Sequence, residues 1–133
     1  MQVPARGDAL FKQGRLIIET KSGPVALDVE IADSDFARET GLMFRRTLAP
    51  NRGMVFLFDD EQEIAMWMKN TYVSIDMVFI CNGWRVVHVA RQVKPLSASI
   101  ISSGQPASRV LEILGGRAQK LGIGQGDRIT LMR

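Results

Sequence analysis

The sequence has few of the residues that most catalytic and metal centres need: it contains one cysteine, Cys81, and one histidine, His88, in 133 residues. A single cysteine excludes an internal disulfide, and this pair alone excludes a zinc site of the usual Cys/His kind in a monomer. Apolar runs are also short, as at 54–58 and 78–81. A membrane-spanning helix needs roughly 18–20 apolar residues, so we predict no membrane span in this chain.

Charge is present but not concentrated. The formal net charge is +3, and Arg45 and Arg46 are the only adjacent pair of basic residues. A nucleic-acid-binding protein more often carries a basic stripe with exposed aromatic side chains. We therefore predict no nucleic-acid partner, and an anionic small ligand stays open.

Length and composition predict one folded unit. The 46% of apolar residues is ordinary for a globular protein, and 133 residues are enough for one core but too few for two. We interpret residues 1–14 as a flexible polar N-terminal lead-in and residues 15–133 as a single globular β-rich domain. The first residues lack the apolar core of a signal peptide.

Short segments with strand patterns dominate the chain. Apolar residues alternate with polar ones over 25–31, and 54–58 is continuously apolar, as in a buried strand. One moderate helix is predicted over about 34–44 and one short helix over about 115–121. The acidic stretch 59–63 and the Ser- and Pro-rich stretch 95–107 are predicted as loops. Further strands are predicted at 15–20, 64–69, 75–81, 108–114 and 127–132.

These elements indicate an α+β fold with a predominantly antiparallel sheet. A strongly curved or barrel-like sheet is expected, because closure removes edges that aggregate. Asn82-Gly83 predicts a two-residue hairpin turn, which places Cys81 opposite Trp84 and Met77 opposite His88. In that register Cys81 and His88 are about 13 Å apart, which excludes a Cys–His nucleophile pair.

Polar residues gather where the strand pattern breaks after residue 66. Lys69, Asn70 and Thr71 follow Trp67 directly, and Asp76 interrupts the next apolar strand. One interpretation is structural: Asn70 and Thr71 form a turn, and Asp76 accepts backbone N–H bonds. The other is a binding site, since rigid scaffolds place functional groups at strand ends.

Arginines near the predicted helix are candidates for the same site. Arg38, Arg45 and Arg46 are expected to pair with Asp76 or with the acidic stretch 59–63. Arg38 and Arg45 join the candidate binding residues, where together with Lys69 they suit a carboxylate or a phosphate.

Methionines suggest a further possibility. Met66 and Met68 fall on one face of the predicted strand 64–69, and soft thioethers select Cu(I). Packing is the more common use of methionine, which fills irregular gaps in a core. A Cu(I) site is therefore an alternative to a simple core role.

Two segments carry a resemblance to a known family. Residues 41–45 (Gly-Leu-Met-Phe-Arg) and 66–71 (Met-Trp-Met-Lys-Asn-Thr) resemble the signature of domain-of-unknown-function family 192, and the similarity extends over about 25–131. The resemblance implies a compact β-rich domain, commonly exported, with no established activity, substrate or cofactor. It implies a periplasmic or extracellular location, and the alternative expectation is a cytoplasmic one.

The leading hypothesis is a non-enzymatic binding module of the cell envelope for a small anionic ligand or a protein partner, with no cofactor. A hydrolase-type enzyme that uses Asp76 as general base beside Lys69 is a second hypothesis. It requires Asp76 to lie in a cleft. Met-based Cu(I) binding is the third.

Overall fold

A computed structural model describes residues 10–133, which form seven strands and two short helices. In chain order the elements are β1 (Lys12–Thr20), β2 (Gly23–Ala32), α1 (Asp35–Thr40), β3 (Arg52–Met66), β4 (Ile75–Ile80), β5 (Val86–Val93), β6 (Ile101–Leu114), α2 (Arg117–Leu121) and β7 (Arg128–Met132). Most of the predicted lead-in, residues 1–9, lies outside the described residues. Residues 12–14, also assigned to the lead-in, belong to β1 and pair with β2.

All seven strands form one sheet in the order β5-β4-β6-β3-β2-β1-β7. Every neighbouring pair is antiparallel except β2 and β3, which are parallel because the chain crosses through α1 between them. The predicted α+β class with a mainly antiparallel sheet is confirmed. The sheet is not closed: β5 and β7 are its edges, and a single bridge links Arg85 to Arg128 where their ends approach. Closure into a barrel is therefore not confirmed.

Strands β3 and β6 are much longer than predicted. The segments 54–58 and 64–69, together with the acidic stretch between them, form the single strand β3, which ends at Met66. Strand β6 begins at Ile101, inside the stretch predicted to be irregular. The two strands pair on both sides of an irregularity, with register shifts between Leu57 and Gln62 and between Glu63 and Ala65. The side chains of residues 59–63 are exposed to solvent, which accounts for their polar composition.

Both helices are shorter than predicted. Ser34 caps α1, since its side chain accepts a hydrogen bond from the Ala37 backbone N–H at 3.1 Å. The helix ends at Gly41, which has a φ of +46°. A Cβ at Gly41 would lie 3.2 Å from the Phe56 ring, so close packing and the positive φ both favour glycine there. Helix α2 begins at Arg117, since Gly116 has a left-handed backbone.

The hairpin between β4 and β5 has a longer turn than predicted. The Cys81 backbone N–H donates to the Arg85 carbonyl at 3.0 Å, and Trp84 has a φ of +58°, which is the pattern of a three-residue loop. A register shift follows, so that Phe79 pairs with His88. The predicted pairing of Met77 with His88 is wrong for this reason. The His88 ring stacks on Phe79 with a centroid separation of 5.8 Å.

Apolar side chains fill both faces of the central strands. One face buries residues from β1, β2, β3, β4 and β6, among them Leu16, Val29, Val55, Val78 and Leu111. On the other face α1 and the segment after it cover a second cluster, which includes Ala37, Met54, Phe56, Met77 and Val110. Side chains alternate along a strand, so Glu112 shares the second face with Val110. None of the helices in residues 10–133 has the length and apolar character needed to cross a membrane.

Candidate functional site

A pocket of about 340 Å³ opens on the second face of the sheet, between α1, β3 and the segment after β3. Its apolar wall consists chiefly of Leu42, Phe56, Phe58, Met66 and Trp67. Its polar residues include Arg38, Glu39, Lys69, Thr71 and Glu112. An apolar concave surface with a few polar groups is the usual form of a small-molecule site.

The pocket brings together four of the seven binding residues predicted from the sequence. Those four are Arg38, Trp67, Lys69 and Thr71. The other three, Arg45, Asn70 and Asp76, do not line it.

Trp67 and Lys69 form one side of the pocket. The Trp67 side chain is 52% exposed although it is a large aromatic group. The Lys69 Nζ lies 5.5 Å from the centroid of the Trp67 ring, within the range of a cation–π contact. Among residues 10–133 no carboxylate comes within salt-bridge distance of Lys69. Its charge is therefore available to a ligand at the mouth of the pocket.

Arg38 lines the pocket from α1 and is held in place by contacts of its own. Its Nη1 donates to the Leu57 carbonyl at 2.6 Å, and its Nη2 lies 2.8 Å from Asp35 Oδ1. Its guanidinium carbon is 5.5 Å from the centroid of the Phe58 ring. Asp35 also lines the pocket, as does Glu39, so the positive charge of Arg38 is partly balanced there.

Asn70 and Thr71 shape the turn that carries Lys69. The Thr71 hydroxyl donates to the Lys69 carbonyl at 3.2 Å, and the Thr71 backbone N–H donates to the Met68 carbonyl at 3.0 Å. Asn70 has a φ of +53°, and its carbonyl accepts a hydrogen bond from the Phe44 backbone N–H at 2.7 Å. Asn70 thus joins the segment after α1 to the segment after β3.

Arg45 pairs with β2 and not with the predicted partners. Its guanidinium makes two hydrogen bonds to the Glu30 carboxylate, and Nη2 is 3.0 Å from Oε2. Its guanidinium carbon also lies 5.5 Å from the Phe11 ring centroid. Arg46 lies over the Tyr72 ring at 4.9 Å. The expected pairing of these arginines with Asp76 or the acidic stretch is wrong, because nearer partners engage them.

Asp76 has a structural environment. It is fully buried, and its carboxylate accepts hydrogen bonds from the backbone N–H groups of Gln92 at 2.7 Å, Gly116 at 3.0 Å and Ala118 at 2.8 Å. The general-base hypothesis requires Asp76 to lie in a cleft beside Lys69, whereas the structural interpretation requires it to accept backbone N–H bonds. The observed contacts are those of the structural interpretation.

Met66 and Met68 do not share a strand face. Strand β3 ends at Met66, so the alternation does not continue to Met68. Met66 lines the pocket and packs against the second core cluster, in which Met68 is buried with 1% exposure. The Cu(I) site at these two residues stays a prediction. In the described part of the chain, no three His, Cys, Asp or Glu residues are grouped as a metal site.

Glu112 is the pocket residue that sequence reasoning did not select. It lies in the middle of β6, paired with Met54 of β3 and Met77 of β4, and it is 5% exposed. Burial raises the pKa of its carboxyl from 4.5 to about 8, and within residues 10–133 neither a nearby charge nor a hydrogen bond counters this effect. The carboxyl is therefore mostly neutral at pH 7. The available signal was an acidic residue inside the apolar run 110–114.

Comparison with known proteins identifies the family. The model of DUF192, described as "Uncharacterized ACR", matches residues 16–131. The chain therefore belongs to domain-of-unknown-function family 192, which confirms the resemblance carried by residues 41–45 and 66–71. No curated protein matches the chain.

Two solved structures are similar over nearly their whole length. A crystal structure from Sinorhizobium meliloti 1021, provisionally described as a transcription regulator, is 38% identical with a TM-score of 0.89, covering 94% of this chain and 98% of that one. A protein of unknown function from Novosphingobium aromaticivorans DSM 12444 is 30% identical with a TM-score of 0.88, covering 98% of this chain and 91% of that one.

Proposed function

We propose that this chain is a small-molecule-binding module of the cell envelope and that its ligand has an apolar body and one anionic group, such as a carboxylate or a phosphate. The observation that carries the proposal is the pocket in which Lys69 lies beside an apolar wall that includes Trp67, with Arg38 and Thr71 also in the lining.

The two parts of the ligand have different energetic roles. An exposed ion pair contributes roughly 0–1 kcal/mol, so Lys69 adds selectivity for an anion more than affinity. Burial of apolar surface contributes roughly 25 cal/mol per Å², and the Phe56, Phe58 and Trp67 rings supply that surface. The apolar body therefore accounts for most of the affinity.

Binding to nucleic acid is less favoured than binding to a small molecule. The description of the Sinorhizobium relative raises that possibility. Several basic side chains are already paired with acids, as in Lys12–Asp33, Arg15–Asp28 and Arg45–Glu30. Paired cations have less charge available for phosphate contacts, on which affinity for nucleic acid depends.

The location in the envelope is supported by the family resemblance alone. Fractionation of cells that express the complete gene, with detection of the protein in periplasmic and cytoplasmic extracts, tests this part separately. Recovery in the cytoplasmic extract alone would remove the envelope from the proposal and leave the binding role standing.

Two dyes with the same ring system test the binding role. The dye 1-anilinonaphthalene-8-sulfonate carries an ionised sulfonate, and N-phenyl-1-naphthylamine lacks it. We expect Lys69→Gln to weaken binding of the sulfonate dye by about threefold to fivefold and to leave the neutral dye unchanged, since one exposed cation is lost. Trp67→Ala should weaken both dyes, because both use the apolar wall.

Lys120→Gln is the matched control, because Lys120 lies on α2 and does not line the pocket. Fluorescence titration at low salt measures both dyes against all three variants. If the wild-type protein binds neither dye, or if Lys69→Gln and Lys120→Gln behave alike, the pocket is not the anion-selective site proposed here.

A further inference from the structure

Glu112 is a mostly buried residue whose carboxyl faces the pocket and makes no hydrogen bond to any residue from 10 to 133. The residue is 5% exposed and lines the pocket, so what remains accessible of it faces that space. Its neighbours across the sheet are Met54 and Met77, which offer no hydrogen-bond donor. Within residues 10–133 no side chain or backbone N–H donates a hydrogen bond to it, and no cation stabilises its charge.

The carboxyl keeps access to the pocket. Within residues 10–133 the buried side-chain atom without a hydrogen-bond partner is Arg109 Nε, so the Glu112 oxygens retain accessible surface, which faces the pocket. A ligand atom that pairs with the carboxyl gains a hydrogen bond in surroundings of low polarity, where such bonds are strong. An unpaired carboxyl at the wall of a binding pocket is therefore a directional contact for a ligand.

The protonation state decides which atom pairs with it. The charged groups that line the pocket are Asp35, Arg38 and Glu39 from α1 and Lys69 from the segment after β3. Strands β3 and β4 present methionines beside Glu112. Because burial holds the carboxyl largely in its neutral form at pH 7, it is a hydrogen-bond donor, and its natural partner is a neutral acceptor.

We propose that Glu112 donates a hydrogen bond to a carbonyl oxygen of the ligand, so that the pocket takes an oxo-carboxylate: an apolar chain with an anionic group near Lys69 and a ketone at the end that reaches Glu112. This inference rests on the proposed function, because it adds a second polar contact to the same ligand. Glu112 is a specificity-determining residue in this scheme, and no bond is made or broken.

Alkanoates with and without a ketone test the inference. Octanoate and decanoate are compared by calorimetry with 7-oxooctanoate and 9-oxodecanoate, whose ketone accepts hydrogen bonds and cannot donate them. We expect the wild-type protein to bind the oxo compounds about tenfold more tightly near neutral pH. The two chain lengths compare two separations between the carboxylate and the ketone.

Two variants separate the hydrogen bond from the fit of the chain. Glu112→Gln keeps a neutral donor, so the preference for the ketone should remain and should not change with pH. Glu112→Leu removes the donor and suits an apolar strand, so the preference should disappear. In the wild-type protein the preference should fall between about pH 6 and pH 9 as the carboxyl ionises. The ratio of the two ligands cancels any change at Lys69, which both use.

The outcomes distinguish this inference from the proposed function. Equal binding of oxo and parent alkanoates would overturn the role of Glu112 and leave the binding module intact. Tighter binding of 8-aminooctanoate than of octanoate would also overturn it, since an ammonium group requires an ionised Glu112. Failure of all these alkanoates to bind would overturn both.

Discussion

Asp76 accepts a hydrogen bond from the Ala118 backbone N–H at 2.8 Å and thereby attaches β4 to the start of α2. The same carboxylate oxygen accepts from Gly116, and the other oxygen accepts from Gln92 at the end of β5. Helix α2 has no capping side chain of its own. A residue distant in the sequence therefore supplies the cap and connects three elements.

Removing the Asp76 carboxylate should destabilise the protein strongly. We expect Asp76→Ala to lower the free energy of unfolding by roughly 3–5 kcal/mol, because three buried N–H groups lose their acceptor. Asp76→Asn should cost less, since the amide oxygen can still accept from Gly116 and Ala118. Urea unfolding measures both, and Asp60→Ala, at an exposed acid of β3, is the control. A loss at Asp76→Ala no larger than at Asp60→Ala would contradict this role.

The buried Glu112 carboxyl should make stability fall with rising pH. Its pKa is about 8 in the folded protein and about 4.5 in the unfolded chain, so the folded state binds more protons between these values. Its contribution is complete below about pH 4.5 and is lost as pH rises toward 8, by up to roughly 1.4 kcal/mol per pH unit.

Glu112→Gln isolates that contribution from the other titrating groups. The difference in unfolding free energy between wild type and Glu112→Gln should change in favour of the variant as pH rises from about 5 to 8, because the amide cannot ionise. Chemical denaturation at several pH values measures it. Parallel pH profiles for the two proteins would show that Glu112 has an ordinary pKa.

The backbone at Asn70 should discriminate between glycine and alanine. Asn70 has a φ of +53°, which costs alanine about 1–2 kcal/mol and costs glycine little. We expect Asn70→Ala to be less stable than Asn70→Gly by about 1 kcal/mol in thermal or urea unfolding. Both variants lose the same side chain, so their difference reports the backbone. Equal stability would mean that this turn relaxes to another conformation.

The Arg45–Glu30 pair should be worth more than an exposed pair of the same type. Its side chains are 33% and 18% exposed, against 54% and 44% for Arg15–Asp28. Double-mutant cycles replace each arginine by Met, Glu30 by Gln and Asp28 by Asn. We expect a coupling free energy near 1 kcal/mol for Arg45–Glu30 and below about 0.5 kcal/mol for Arg15–Asp28. High salt should reduce the second more. Equal couplings would place Arg45 in a solvated environment.

Sequence patterns indicate where strands and helices lie better than they indicate how long each one is. The alternation over 25–31 predicted β2, because one face of that strand is buried and the other is not. The acidic composition of 59–63 predicts a loop, whereas the stretch lies within β3, its last two residues pair with β6, and its side chains face water. Periodicity cannot reveal a strand whose two faces are both exposed.

The candidate site was predictable only where its residues are neighbours in the sequence. Trp67, Lys69 and Thr71 follow one another and were selected together. Phe56 and Glu112 reach the same pocket from other strands, and their positions depend on the register of β3, β6 and β4. The exclusion of Asp76 from the pocket depends likewise on where α2 lies, which no local pattern specifies.

The pocket is built from parts of the chain that are far apart in sequence. Met54 on β3 pairs with Glu112 on β6, and α1 covers the face that carries these two side chains, from the crossover that precedes β3. No fragment of the chain contains all of these walls, so the binding-competent shape exists only in the complete fold. Mass action then couples occupancy to global unfolding: a ligand at a hundred times its Kd adds about 2.7 kcal/mol to stability. A melting-temperature screen of a metabolite library on the intact protein is therefore able to find the natural ligand without any assay of activity.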